Sequence, residues 1–418
     1  MNYPRIAIYY KSLENVGGIE RVIIELSRIF QTVSSNIVLL TSEPIAFLAD
    51  KIQCNTAVLP KDSERSTTLK RILEEMQAEW LIVHDPSSIT LLNDIEVAHM
   101  LNCKVALMVH FSFQSPIIFN EAASLYSSVL SVGSKADAIA CVSALDAECW
   151  SSLGLNAYHV QNPFIHNHVS LDNNTRKNPH EIIWIGRGVP QKRPFDAIKI
   201  LHLVTQKIPD VHLVMVGVGQ LKHALKEEAE RLNIADNVIF IEQTSDPEKF
   251  YQTASLHLLT SITESFCLVL AEAKQHGIPS VMYRIPFLDL VADGKGIISH
   301  EHGDVAGMAD SIVNLFLDAS NLNKLSQEAR ESINKFNDAN VLDSWYQLFY
   351  KKRNYNNSIS PYAISELVRA WNLQLEENKW KIDFCDYMEK ILFHKFKSFA
   401  SFMTKGYRIL AYVKRSLK

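Results

Sequence analysis

Short, wholly apolar runs recur along this chain, each followed by a stretch of helical spacing, and the whole series is played twice. The first series holds RIAIYY at 5–10, then Asn36–Ser42, Leu81–His84, Val105–Phe111 and Ala138–Ser143, with helical patterns over Gly18–Gln31 and Thr67–Glu79. Runs without polar alternation fit strands buried on both faces. Strands separated by helices are joined by right-handed crossovers, so the pattern predicts a doubly wound parallel sheet. The polar stretch 166–180, with Asp172, Asn173, Asn174 and Asn178, interrupts it and reads as a linker.

The second series follows at once. Strands are expected at Glu181–Ile185, His212–Val216, Val238–Glu242, Leu256–Thr260 and Ser280–Tyr283, and helices at Pro194–Lys207, Leu221–Leu232 and Phe266–His276. The expected organisation is α/β: one Rossmann-like domain over 1–165, the linker, a second over 181–340, a helix over 341–354 crossing back to the first, and a helical tail over 355–418. Two such sheets face a cleft, and ligands of open parallel sheets bind beyond the carboxyl ends of the strands.

Composition narrows the function classes. The chain has 418 residues, 47% of them apolar, which suits two domains with full cores. Its six cysteines show no Cys-x-x-Cys spacing, so neither a disulfide framework nor a zinc cage is expected. No apolar run reaches the roughly 18–20 residues that span a bilayer, and 1–10 does not resemble a signal peptide, so a cytoplasmic protein is expected. The net charge is −4, yet 390–418 carries six lysines, two arginines and no acid, which leaves −12 for the remainder. This polarity speaks against nucleic acid as a partner of the main body and for an anionic surface as partner of the tail.

Candidate site residues stand at the expected strand ends. Gly17 and Gly18 precede a helix, where backbone N–H groups can approach an anion; a tight turn that binds nothing is an equal reading, and no G-x-G-x-x-G follows. His84 and His110 each end a strand, where an imidazole is more often structural than reactive. Arg187 and Lys192 follow the strand EIIWI, and a planar fork beside a mobile point charge suits a diphosphate. Glu264 precedes a helix entry and Glu272 lies about two turns inside it. That spacing alone is uninformative, but in this context the amides of Phe266, Cys267, Leu268 and Val269 can hold phosphate. A buried carboxylate there can accept two ribose hydroxyls.

The runs GGIERVIIELS, GRGVPQKRPFDAIKIL, VMVGVGQ and ESFCLVLAEAKQHGIPSV resemble the retaining GT-B glycosyltransferases of family 4, the glycosyl transferases group 1. The resemblance covers about 1–350 and is strongest over 181–305. It implies a GT-B fold and a nucleoside-diphosphate-sugar donor. Arg187 and Lys192 would hold the diphosphate, Glu272 the ribose, and Glu264 would lie by the transferred sugar. Gly17, Gly18, Gly217 and the 266–269 backbone would line the donor site, and His110 would lie beside the sugar. Ser265 and Cys267 stand where the family commonly has glycine, and Phe287 follows Pro286 where a glycine is frequent.

The expected activity is retaining transfer to a hydroxyl of a growing envelope polysaccharide or lipid-linked oligosaccharide. No Asp-x-Asp is present to bind a metal, and no cofactor is expected. The rival reading is a non-catalytic sugar-nucleotide-binding or scaffold subunit; a nicotinamide oxidoreductase lacks its fingerprint. In the tail, Leu392, Phe396, Phe399, Met403, Tyr407 and Leu410 follow helical steps, opposite Lys390, His394, Lys397, Ser401, Lys405 and Arg408. A helix with one aromatic and one basic face suits the headgroup region of an anionic leaflet, so peripheral membrane association through 387–418 is expected, against the alternative of packing on protein.

Overall fold

The structure is a computed structural model that describes residues 3–14, 17–45, 49–84, 91–164, 177–242, 244, 247–351 and 359–376. Most of the expected linker, at 166–176, and the amphipathic tail beyond 376 lie outside the described residues. By internal contacts the chain divides into two units. One, Met1–Phe113 with Ser127–Ile359, holds both sheets; the other is Gln114–Tyr126 with Ser360–Lys418.

The first sheet has seven strands: β1 (Ile6–Tyr9), β2 (Ile37–Thr41), β3 (Asn55–Val58), β4 (Trp80–Val83), β5 (Lys104–Val109), β6 (Ala138–Cys141) and β7 (Ala157–His159). Their order is β3-β2-β1-β4-β5-β6-β7, and every pairing is parallel. The second has six: β8 (Glu181–Ile185), β9 (His212–Val216), β10 (Val238–Ile241), β11 (Leu256–Leu259), β12 (Ser280–Tyr283) and β13 (Ile297–His300). Their order is β10-β9-β8-β11-β12-β13, again wholly parallel. The central strands are buried throughout because their runs are apolar on both faces. The strand order reverses between β1 and β4 and between β8 and β11, and open parallel sheets form crevices at such switch points.

Three strands go beyond the sequence expectation. β3, β7 and β13 lie at sheet edges, and their short sequences NTAV, AYH and IISH carry too little apolar character to stand out. The helix Phe266–His276 begins two residues later than expected, at Leu268, because Cys267 leaves helical geometry.

The helix Asp338–Tyr350 returns the chain to the first sheet. Trp345 is fully buried, edge-on to Phe30 with ring centroids 5.4 Å apart. The Tyr3 hydroxyl donates to the Leu342 carbonyl at 2.6 Å, and Arg28 pairs with Asp338 at 2.8 Å. In the smaller unit, 361–376 is helical, and Gln374 donates to the Asn120 side chain at 3.2 Å. Truncating a buried tryptophan removes a large contact area and leaves a cavity, so Trp345→Ala is expected to cost about 3–5 kcal/mol, read as a lower midpoint in urea unfolding.

Candidate functional site

The loop after β8 sets the first cation. Gly186–Arg187–Gly188 leads to the turn Pro190–Lys192, and the helix Pro194–Thr205 follows from Arg193, which sits in the left-handed region at φ 47°. Gly188 has to be glycine because a Cβ there would strike the Val218 carbonyl oxygen. Gly217, directly after β9, has φ +86°, a conformation that costs glycine little. The two loops therefore interlock at backbone distance.

A ladder of hydrogen bonds then ties this turn to the loop after β11. Ile262 N–H donates to Gln191 O at 3.0 Å, Gln191 Nε2 donates to Thr263 O at 2.8 Å, and Thr260 Oγ1 donates to Lys192 O at 2.6 Å. Trp184 Nε1, from β8, donates to the same Thr260 hydroxyl at 2.9 Å. With both loops fixed, Lys192 Nζ meets Glu264 Oε1 at 2.5 Å, and the two side chains are 15% and 9% exposed. Burial alone would lower the Lys192 pKa, but the Glu264 carboxylate outweighs it and raises it, so the ammonium stays charged. Arg187 is exposed on the same loop.

The helix Leu268–Gln275 starts from Cys267 at φ 71° and ψ 70°. This is the position where the resembled family commonly has glycine, and the geometry gives the reason: the turn demands a left-handed residue. A non-glycine residue held there carries strain of roughly 1–2 kcal/mol. Burial pushes the Cys267 thiol well above its ordinary pKa, so it is a neutral neighbour of Lys192, Glu264 and Glu272. The Phe266 ring packs between Phe164 and Phe336, with centroids 6.5 and 5.8 Å away. Leu268 and Val269 are half-buried in the first turn.

Glu272 is the meeting point of the two halves. Its Oε2 accepts from the Tyr251 hydroxyl at 2.8 Å, and its Oε1 forms an ion pair with Arg21. Arg21 belongs to the helix Gly18–Gln31, which follows Gly17 without any side-chain cap. A Cβ on Gly18 would lie 3.4 Å from Leu268 Cδ1, so the two helix starts approach closely. Ser112 and Thr263 share a buried hydrogen bond of 2.9 Å across the same seam.

His110, after β5, and His84, after β4, are in contact with each other. Their Nε2 and Nδ1 atoms are 2.8 Å apart, and their rings stack with centroids at 5.0 Å. Burial lowers His84 well below the usual imidazole range and His110 to about 4, so both are neutral near pH 7. Three residues after His110 the Phe113 N–H donates to buried Asp146 at 2.7 Å, and burial raises that carboxyl to about 6.

The structure thus brings Lys192, Glu264, Cys267 and Glu272 to one place, with Gly18 opposite Leu268, and sets His110 against His84. Arg21 and Tyr251 were missed from the sequence. Arg21 lies within GGIER, three residues after Gly18, but an arginine in the first turn of a helix carries no signal of a partner 251 residues away. Among the described residues no cluster of three or more His, Cys, Asp or Glu side chains is placed to hold a metal ion.

Residues 170–332 match the family model described as glycosyl transferases group 1. The matched segment contains β8–β13 together with Lys192, Tyr251, Glu264, Cys267 and Glu272. The chain is 28% identical over 174 residues to a poly(glycerol-phosphate) alpha-glucosyltransferase of Bacillus subtilis, covering 41% of this chain and 26% of that protein. It is 26% identical over 291 residues to an uncharacterized glycosyltransferase of Haemophilus influenzae, covering 67% of this chain and 80% of that one. The chain therefore spans about a quarter of the first relative and four-fifths of the second. In structure it is similar to Anabaena Alr3699/HepE in complex with UDP and glucose, with TM-score 0.69, 16% identity, and coverage of 84% of this chain and 100% of that one. The fold is GT-B.

A folded-state imidazole pKa near 4, against about 6.5 in the unfolded chain, gives stability that is complete above pH 6.5 and is lost as pH falls towards 4. Urea midpoints should fall between pH 6.5 and 5, and a His84→Asn/His110→Gln variant should flatten that slope.

Proposed function

We propose that this chain is a retaining glycosyltransferase that moves a sugar from a nucleoside-diphosphate-sugar to a hydroxyl of a growing envelope polysaccharide or lipid-linked oligosaccharide. The observation that carries the reading is the grouping of Lys192, Glu264 and Glu272 at the switch point of the second sheet, beside the start of the Gly18 helix. The family match of that segment supports it, as do the alpha linkage in the Bacillus subtilis relative's name and the UDP and glucose bound by the Anabaena protein.

In this reading Glu272 accepts the ribose hydroxyls, and the amides at 266–269 and Gly17–Gly18 face the diphosphate. The bond from the anomeric carbon to the diphosphate breaks with its electron pair on the leaving oxygen. Lys192 and Arg187 stabilise that growing charge. The acceptor hydroxyl forms the new bond on the same face and gives its proton to a donor phosphate oxygen. Neutral His110 hydrogen-bonds the sugar, and Glu264 both holds Lys192 and lies by the transferred sugar. The protein's own cations do the work of a metal, so activity is independent of divalent ions.

The test is hydrolysis of UDP-, GDP- and ADP-sugars without acceptor, in excess EDTA. One donor class should be turned over; abolition by EDTA with rescue by magnesium would refute the metal-free chemistry. Glu272→Ala, losing two hydrogen bonds to a charged group, should weaken donor binding on the order of 100-fold. Arg187→Ala and Lys192→Ala should lower kcat more than donor affinity.

The proposed site of action is the inner face of the cell membrane. No helix among the described residues is long and apolar enough to cross a bilayer. The helical stretch 361–376 instead exposes one apolar face: Ile364, Val368, Trp371 and Leu375, at 47%, 55%, 58% and 55%, follow steps of four, three and four. Further along, the sequence places Leu392, Phe396, Phe399 and Met403 at the same steps of four, three and four, amid the lysines of 390–418. Each cation near an anionic surface contributes on the order of 1 kcal/mol. Deleting 387–418 should abolish sedimentation with anionic vesicles and spare donor hydrolysis; a truncated protein that still sediments would assign the surface elsewhere.

A further inference from the structure

The carboxylate of Glu272 is 7% exposed, and both its oxygens are spoken for by side chains that the donor-site reading leaves unexplained. Oε2 accepts from Tyr251, a residue 1% exposed whose ring stacks on His276 at 5.3 Å. Oε1 accepts no conventional hydrogen bond among the described residues, and its partner is the guanidinium of Arg21. Arg21 comes from the first sheet's half of the molecule, whereas Glu272 and Tyr251 come from the second. A carboxylate offers about four acceptor sites, two on each oxygen. With one site on each oxygen used internally, each oxygen keeps capacity for one more, and two acceptors on one carboxylate are what the adjacent 2′- and 3′-hydroxyls of a ribose require.

We propose that Arg21 is a positioning residue for the donor ribose: reaching across the seam, it holds the Glu272 carboxylate, opposed by the Tyr251 hydroxyl, in the one orientation that accepts both ribose hydroxyls. The inference rests on the donor-site reading and deepens it, since ribose recognition then needs both halves of the molecule together. Arg21 suits the task better than a lysine would, because its planar fork fixes the plane of a carboxylate and a point charge does not. The side chain is 28% exposed. Burial, and then the Glu272 charge, raise the Tyr251 pKa well above its ordinary value, so its hydroxyl remains a donor over the whole neutral range.

The experiment measures binding of UDP, GDP and ADP, and of their 2′,3′-dideoxy forms, to the full chain by calorimetry. On the diphosphate that binds, the wild type should favour the ribo form by on the order of 100-fold, and Glu272→Ala should remove the preference. Arg21→Ala and Tyr251→Phe should each reduce it by roughly tenfold, and Arg21→Lys should restore only part. Binding of the dideoxy form should change little, a split that a general loss of structure would not give. Arg21→Met, which keeps the length of the side chain without its charge, replaces Arg21→Ala if the latter melts early. An Arg21 variant that weakens both forms equally, or neither, while Glu272→Ala removes the preference, overturns the inference and leaves the donor reading standing. A wild type without ribo preference, or without affinity for any of the three, overturns both.

Discussion

The buried ion pair between Lys192 and Glu264 is the interaction around which the loops after β8 and β11 are arranged. Each charge alone in that place would cost several kcal/mol, about 3–5 when a partner is removed, so neither loop can move without the other. The surrounding hydrogen bonds, from Gln191, Thr260 and Trp184, hold the loops after β8 and β11 in the register that makes the pair short. The pair also concentrates charge at the switch point of the sheet, where the chain order opens a crevice. Structure and electrostatics are thereby built from the same two side chains.

Against that fixed side, the first half contributes fewer but well-placed contacts. Arg21 and Ser112 cross the seam, and Gly18 permits Leu268 to approach its helix start. The paired imidazoles are kept uncharged by burial, so the positive charge of the region resides on the Arg187, Lys192 and Arg21 side chains. The proposed reaction, with a diphosphate as leaving group, calls for that separation of roles: fixed cations where charge grows, and neutral donors where hydroxyls are recognised.

The sequence revealed those parts of the fold whose physical signature is local. Runs such as RIAIYY and EIIWI are apolar on both faces and so declared two parallel sheets, and Gly18–Gln31 agreed with the structure to the residue. The edge strands β3, β7 and β13 escaped notice because a strand paired on one side needs little apolar character. Among the residues that the structure groups together, Lys192, Glu264 and Glu272 were legible as candidates from their positions at a strand end and a helix entry. The left-handed turn at Cys267 was visible only as a departure from an expected glycine, and the strain it carries required the backbone angles. Arg21 was silent because a contact between the first turn of one helix and the middle of another in a different half has no sequence pattern, and Tyr251 because its partner Glu272 lies 21 residues away on a separate helix.

The chain leaves the first sheet after β7 and returns to it in the helix Asp338–Tyr350, and Phe266 touches an aromatic ring near each of these two crossings, Phe164 and Phe336. The next residue is Cys267, the left-handed turn on which the helix carrying Glu272 begins. The aromatic contact that joins the two crossings is therefore one peptide bond from the turn that aims the Glu272 helix, so the packing of one ring and the direction of that helix are set together.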